Sequence, residues 1–180
     1  MVFDHAGIDS TSRVLVHGGA GNVGAYAVQL AKPVAREVIA TAWPDDVEYL
    51  RALGADTVIN VQATRFEDVL SEVDAVVDTV GGDVLARSYA VLKTGGVLVS
   101  SVAHPDQREA AHYGVRGVFF LVAVSSEGLA RISDLIEARQ LVTNVGEVLP
   151  LSDARIAHEM LAGRPHKRGK IVLTVNGAPS

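Results

Sequence analysis

Arg13-Val14-Leu15-Val16-His17-Gly18-Gly19-Ala20-Gly21-Asn22-Val23-Gly24, running on into Ala25-Tyr26-Ala27-Val28-Gln29-Leu30-Ala31, decides the fold. It reads as a buried strand, a glycine turn and a helix. Val14, Leu15 and Val16 form the short apolar run of a parallel strand covered on both faces. Gly19, Gly21 and Gly24 supply G-x-G-x-x-G. The first glycine is expected to allow the turn, and the second to let a pyrophosphate approach the backbone. The third is expected to let the helix pack closely. The helix is expected from about Asn22, with its free N–H groups and positive dipole end facing a phosphate. Gly19, Ala20, Gly21, Asn22, Val23 and Gly24 are therefore the first candidate cofactor-binding residues.

Outward from this stretch the chain alternates strand and helix, which predicts a parallel sheet covered on both faces. Strands are expected at 13–17, 37–41, 57–60, 75–78, 97–101 and 117–122. Helices are expected at 22–32, 44–53, 66–71 and 84–92, and residues 103–114 read as a polar loop. Leu129, Ile132, Leu135, Ile136 and Leu141 stand at the spacing of an amphipathic helix, with Ser125 and Ser126 as its cap. A short strand at 148–149, a helix at 153–162 and a strand at 170–175 follow. The fold class is α/β, a doubly wound parallel six-stranded (Rossmann) sheet with a short C-terminal helix–strand extension. The expected divisions are a connector at 1–12, the dinucleotide-binding domain at 13–145 and a further segment at 146–180.

Composition narrows the function. The chain has 180 residues and a net charge of −5, so no basic field invites nucleic acid or an anionic membrane. It has no cysteine, which excludes disulfides and any thiolate zinc site. The six histidines never pair at metal-ligand spacing, so no metal site is expected. No apolar run reaches membrane-spanning length, and a cytoplasmic protein is expected.

The order of several further motifs resembles the medium-chain dehydrogenase/reductase superfamily, in its zinc-independent, quinone oxidoreductase-like branch. They are Val38-Ile39-Ala40-Thr41-Ala42, Leu53-Gly54-Ala55-Asp56, Val77-Asp78-Thr79-Val80-Gly81-Gly82, Leu92-Lys93-Thr94-Gly95-Gly96 and Arg168-Gly169-Lys170-Ile171-Val172-Leu173. The resemblance covers nearly the whole chain. It implies an oxidoreductase that moves hydride from NADPH to a quinone, enone or other carbonyl-type acceptor without metal. Members of the branch also carry an N-terminal catalytic domain. Phe3-Asp4-His5-Ala6-Gly7-Ile8 resembles the end of the helix that joins it, and residues 146–180 resemble the return segment. The alternative is a nucleotide-binding module, or an inactive truncated remnant, with no catalysis of its own.

Cofactor choice is read where the second strand ends, at Thr41-Ala42-Trp43. An NAD enzyme usually has an acid there for the ribose hydroxyls. None is present, which together with the resemblance favours NADP, with NAD the second choice. Asp45 and Asp46 oppose a 2′-phosphate, and no Lys or Arg follows closely, though Arg51 lies on the next helix. Trp43 is a candidate to stack beside adenine. The resemblance further implies Val80 and Gly81 near the ribose, and Ser101 and Val102 beside the nicotinamide ribose. It places Phe119, Phe120 and Leu121 near the carboxamide. Asn60 and Val61 stand where the branch often has an acid and a tyrosine.

Three other features receive structural readings. Tyr89 and Lys93 give Y-x-x-x-K, a short-chain dehydrogenase spacing, without that family's glycine pattern. His17 is expected to support the glycine turn. Finally, the resemblance implies a homodimer through the sixth strand, whose apolar run Gly117–Val122 has no charge to guard an open edge.

Overall fold

The structure, a computed structural model, describes residues 7–122 and 124–175. The expected connector residues Phe3, Asp4, His5 and Ala6 lie outside them. Strands β1 (Arg13–Val16), β2 (Glu37–Ala42), β3 (Thr57–Asn60), β4 (Val73–Asp78), β5 (Leu92–Ser100) and β6 (Arg116–Phe119) form one sheet. Its order is β3-β2-β1-β4-β5-β6, and every neighbouring pair is parallel. The order reverses direction between β1 and β4, and a ligand crevice opens at such a point beyond the carboxyl ends of the strands.

Side-chain alternation divides the core into two layers. Val14 and Val16 of β1, Val38 and Ala40 of β2, and Val97 and Val99 of β5 face one side. There they meet Ala27, Val28 and Ala31 of α1 (Gly24–Ala31) and Leu50 of α2 (Val47–Ala52). Leu15, Ile39, Val76 and Leu98 face the other side, where they meet Leu85 of α3 (Gly82–Ser88) and Ala110 of α4 (Gln107–His112). Val14, Leu15 and Val16 are each 0% exposed, as a strand flanked by helices on both faces requires. Burying a side chain of this kind contributes roughly 1.5–3 kcal/mol.

Several boundaries depart from the sequence reading. Helix α1 starts at Gly24 rather than Asn22, because Ala20–Val23 is spent on turns. Phe66–Asp68 is a single 3-10 turn, not a helix to residue 71. The helix expected at 84–92 is α3, followed by a 3-10 turn at Tyr89–Val91. The expected loop at 103–114 contains α4, whose N-terminus is capped by Asp106 accepting from the Arg108 and Glu109 amides. Strand β6 begins one residue early, at Arg116, and ends at Phe119, although the Phe120 amide still donates to the Ser100 carbonyl. Helix α5 (Ser126–Glu137) is capped by Ser125, as expected. Leu141 lies beyond its end, past a left-handed Arg139, and Leu129, Ile132 and Ile136 stand exposed.

The chain divides into two compact units between Leu141 and Val142. The second contains β7 (Val145–Pro150), α6 (Ala154–Leu161) and β8 (Lys170–Thr174). Its strands pair in parallel as a sheet of their own. The C-terminal extension is thus strand–helix–strand, and its first strand is longer than the 148–149 expected.

The glycine turn shows why α1 sits where it does. The left-handed residue is Gly18 (φ +65), not Gly19. Gly19 is instead a packing glycine, since a Cβ there would stand 3.0 Å from the Ala40 Cβ and 3.2 Å from Leu50. At Gly24 a Cβ would overlap the Gly18 carbonyl oxygen and come within 2.8 Å of the Gly19 Cα. Gly24→Ala is therefore expected to push α1 off the turn and destabilise the chain by about 3 kcal/mol or more. Urea unfolding of the two proteins measures it, and an unchanged midpoint would contradict the packing.

Candidate functional site

Five loops meet along the carboxyl edge of the sheet. The Gly19 amide donates to the Thr41 carbonyl at 3.0 Å, joining the glycine turn to the end of β2. A Cβ on Gly18 would lie 3.0 Å from Val80, and one on Gly81 would lie 3.1 Å from Val102. The turn therefore abuts the loop after β4, which abuts the loop after β5. The segment after β6 follows, through Phe120 and Ser100. Candidate residues on adjacent strands are thus neighbours in one row. Gly21, Asn22, Val23, Trp43, Val80, Val102 and Leu121 are exposed along it. Gly19, Gly24, Thr41, Ala42 and Gly81 are buried beneath, and Ala20, Ser101, Phe119 and Phe120 are half-buried.

Two buried polar groups, neither proposed as a ligand contact, shape these loops. Asp78 accepts from the Val80 and Gly81 amides at 3.0 and 2.9 Å through Oδ1, and from the Ser100 hydroxyl at 2.7 Å through Oδ2. Ser100 Oγ in turn accepts from the Val102 and Ala103 amides. One carboxylate thereby holds the loops after β4 and β5 together. The sequence contains Asp78 in a family motif, but its pairing with a serine 22 residues on is visible only in the register Asp78↔Ser100.

His17 is the second such group. Its Nδ1 lies 3.1 Å from Thr41 Oγ1, and its Nε2 lies 3.0 Å from Ser88 Oγ. The Ser88 hydroxyl donates to the Val84 carbonyl, and Thr41 Oγ1 accepts from the Gly18 amide. This pattern assigns the imidazole proton to Nε2, leaving Nδ1 to accept from the Thr41 hydroxyl. His17 thus ties the glycine turn to β2 and α3, and Thr41 is fully engaged from below. Burial pushes the imidazole pKa down to about 4, outweighing the opposing charge of Asp78.

Between the ends of β1 and β2, the loop after β3 and α3 lies a cavity of about 270 Å³. Thr41, Ala42, Trp43 and Val80 are on its wall, together with Gly18, Val61, Thr64 and Phe66. Trp43 is 59% exposed at the rim. Arg65 and Arg87 also line it, and none of its twelve wall residues carries a carboxylate. The sequence reading found no cation behind β2 because it looked along the chain. The register Ala42↔Asn60 places the carboxyl end of β3 beside that of β2, and Arg65 stands in the loop that follows. Arg51 pairs instead with Glu48 on the surface.

Tyr89 is buried with its hydroxyl donating to the Asp106 carbonyl, and Lys93 pairs with Asp74. The two do not form a catalytic pair. At the far end of the row, His104 packs its ring 4.0 Å from that of Phe119, a contact the sequence reading missed.

With this geometry in view, the comparisons are informative. Residues 53–173 match the family of zinc-binding dehydrogenases. The chain belongs to that family. It corresponds to the cofactor-binding part of the medium-chain dehydrogenase/reductase superfamily. It is 30% identical to a probable zinc-binding oxidoreductase, mitochondrial, from Arthroderma benhamiae, over 91% of this chain and 52% of that protein. It is 31% identical to an NADPH-dependent alkenal/one oxidoreductase, chloroplastic, from Arabidopsis thaliana, over 89% of this chain and 40% of that one. The solved quinone oxidoreductase of Coxiella burnetii superposes with a TM-score of 0.88 at 34% identity. It matches over 97% of this chain and 56% of its own. The chain thus spans about half the length of the first of these curated relatives. Despite the family's description, the residues here do not fit a zinc centre. There is no cysteine, and among the described residues no three His, Asp or Glu side chains converge. No helix among them is long and apolar enough to cross a membrane.

The His17 pKa lies below the ordinary 6.5, so the unfolded chain takes up this proton first. The stability that neutral His17 contributes is complete above pH 6.5 and falls as pH drops, with the loss complete below about pH 4. The expected loss from this group is ~3 kcal/mol. Denaturant unfolding of wild type and His17→Gln across this range checks it. The difference between the two should shrink on acidification, and a constant difference would sink the assignment.

Proposed function

We propose that this chain binds a nicotinamide dinucleotide, NADP before NAD. In this reading it is the cofactor-binding part of a zinc-independent oxidoreductase that reduces a quinone, enone or other carbonyl-type acceptor. The observation that carries the proposal is the exposed Gly21-Asn22-Val23 turn at the carboxyl end of β1, at the switch between β1 and β4. A phosphate bound there would approach the N-terminus of α1 over Gly21, which carries no side chain. The row of loops then runs from the cavity beside Trp43 towards Phe119, a surface suited to an extended two-base ligand. When bound, the cofactor supplies the hydride. The chain's own residues bind and orient it. Asp78 fixes the loops under the ribose, and Thr41 and Ala42 form the floor near the adenosine end. The similarity to an NADPH-dependent alkenal/one oxidoreductase and to a quinone oxidoreductase supports this class of acceptor.

Calorimetric titration of the chain with NADPH and NADH tests the proposal. Saturable binding of NADPH is expected, with NADH weaker. A Cβ at Gly21 would meet only the Gly18 carbonyl, at 3.2 Å, so Gly21→Val should keep its circular dichroism and lose affinity at least tenfold. Undiminished binding by that variant would remove the phosphate from this turn. A clear preference for NADH would reverse the cofactor choice.

We further propose that two copies pair through β6, which is an edge strand. Phe119 and Phe120 are half-buried, and Leu121 and Val122 beyond them are 75% and 71% exposed. Gln107 donates to the Gly117 carbonyl, so α4 covers part of this segment and leaves its carboxyl end open. Sedimentation should give a dimer for the wild type and a monomer for Phe119→Lys. A wild type that stays monomeric at high micromolar concentration would refute the pairing.

A further inference from the structure

The geometry points to Arg65 as the residue that distinguishes NADP from NAD, by receiving the 2′-phosphate of the adenosine ribose at the rim of the cavity beside Trp43. This rests on the dinucleotide reading above. In a sheet of this kind the adenosine ribose lies at the end of the second strand. There the chain has no acid to hold a 2′-hydroxyl. The charged residues on the cavity wall are Arg65 and Arg87.

The two arginines are not equivalent. Arg87 donates to both oxygens of Glu67 at 2.7 Å and to Asp83 at 2.8 Å, lies 4.9 Å above the Phe66 ring, and is only 28% exposed. Its donors and its face are committed to holding the wall. Arg65 donates through Nε and Nη2 to the same Glu67 oxygen, at 2.9 and 2.6 Å, and its side chain is 67% exposed. Two of its five donors are thus engaged. Glu67, 16% exposed and clamped by Arg87, serves as a fixed post that orients the Arg65 guanidinium. An arginine presented in this way suits a phosphate dianion, which it can bind through two parallel hydrogen bonds. Asp45 and Asp46, the obvious sources of repulsion, are on the turn after Trp43 and not on the cavity wall.

The test is calorimetric titration of wild type, Arg65→Gln and Arg65→Lys with four probes: NADPH, NADH, 2′,5′-ADP and 5′-AMP. The wild type should favour each 2′-phosphorylated probe over its partner by about tenfold to a hundredfold. Arg65→Gln should lose most of that preference while NADH and 5′-AMP change less than about threefold. Arg65→Lys, which keeps the charge but not the fork, should recover part of it. Arg65 lies on the surface and Glu67 keeps Arg87, so both variants should melt within a few degrees of wild type. If Arg65→Gln weakens NADPH and NADH equally, or leaves both unchanged, Arg65 does not read the phosphate, though the dinucleotide site stands. If the wild type binds none of the four probes, the dinucleotide reading itself falls, and this inference with it.

Discussion

Helix α1 rests against the carbonyl of Gly18 so closely that no Cβ fits at Gly24. Much of the remaining structure follows from that contact. It lets the helix pack directly on the glycine turn, which Ala20–Val23 lead out of. It also fixes the turn's height above β2, where Gly19 meets Ala40 and Leu50 without room for a side chain. The turn is supported from below by hydrogen bonds. Thr79 donates to the His17 carbonyl, and His17 joins Thr41 to Ser88. A buried imidazole in this position must be neutral, because a charged one would lie in a low-dielectric site with its nearest partners already satisfied.

Glu67 plays the corresponding part at the cavity. Burial alone would raise its carboxyl, yet hydrogen bonds from Arg87, its own backbone and Arg65, with the charge of Arg87, hold it at about 2. The carboxylate is therefore ionised throughout the neutral range, and the two guanidinium groups keep a fixed partner. The Arg65–Glu67 pair, whose arginine is 67% exposed, contributes little to stability taken alone, typically under about 1 kcal/mol. What Arg87 adds is rigidity. It binds Glu67 through both oxygens and stacks on Phe66, which ties the loop after β3 to α3.

How much of this was legible in the sequence depends on how far apart the interacting residues are. The six strands, their parallel pairing and the glycine turn could be read because each is a local pattern: an apolar run, a break, a helical period. The Ser125 cap was legible for the same reason. The errors are of two kinds. One concerns ends. Helix α1 begins at Gly24, two residues late, after the turns that Ala20–Val23 make. The left-handed residue is Gly18 because the turn begins one position before the motif. Helix α4 was hidden because its six residues offer one buried side chain, Ala110, and no visible period. The other kind concerns partners. Asp78 with Ser100, His17 with Ser88, and Arg65 beside Trp43 are each brought together by register between strands or by a crossover helix. Nothing in the spacing along the chain announces them.

The same distinction bears on cofactor choice. Searching the residues just after β2 assumes that the group reading the ribose travels on the strand beneath it. In a parallel sheet that assumption is too narrow. Neighbouring strands end at the same level, so the loop after β3 stands beside the loop after β2 as surely as if the two were consecutive. Residues 42 and 60 are paired, and five residues past Asn60 the chain places an arginine on the wall of the cavity that Ala42 and Trp43 help to form. The acidic pair Asp45-Asp46 is nearer in sequence but lies in the 3-10 segment that Pro44 opens and is not on the cavity wall. Proximity along the chain thus points to the acids Asp45 and Asp46, whereas the order of the strands brings Arg65 to the cavity wall.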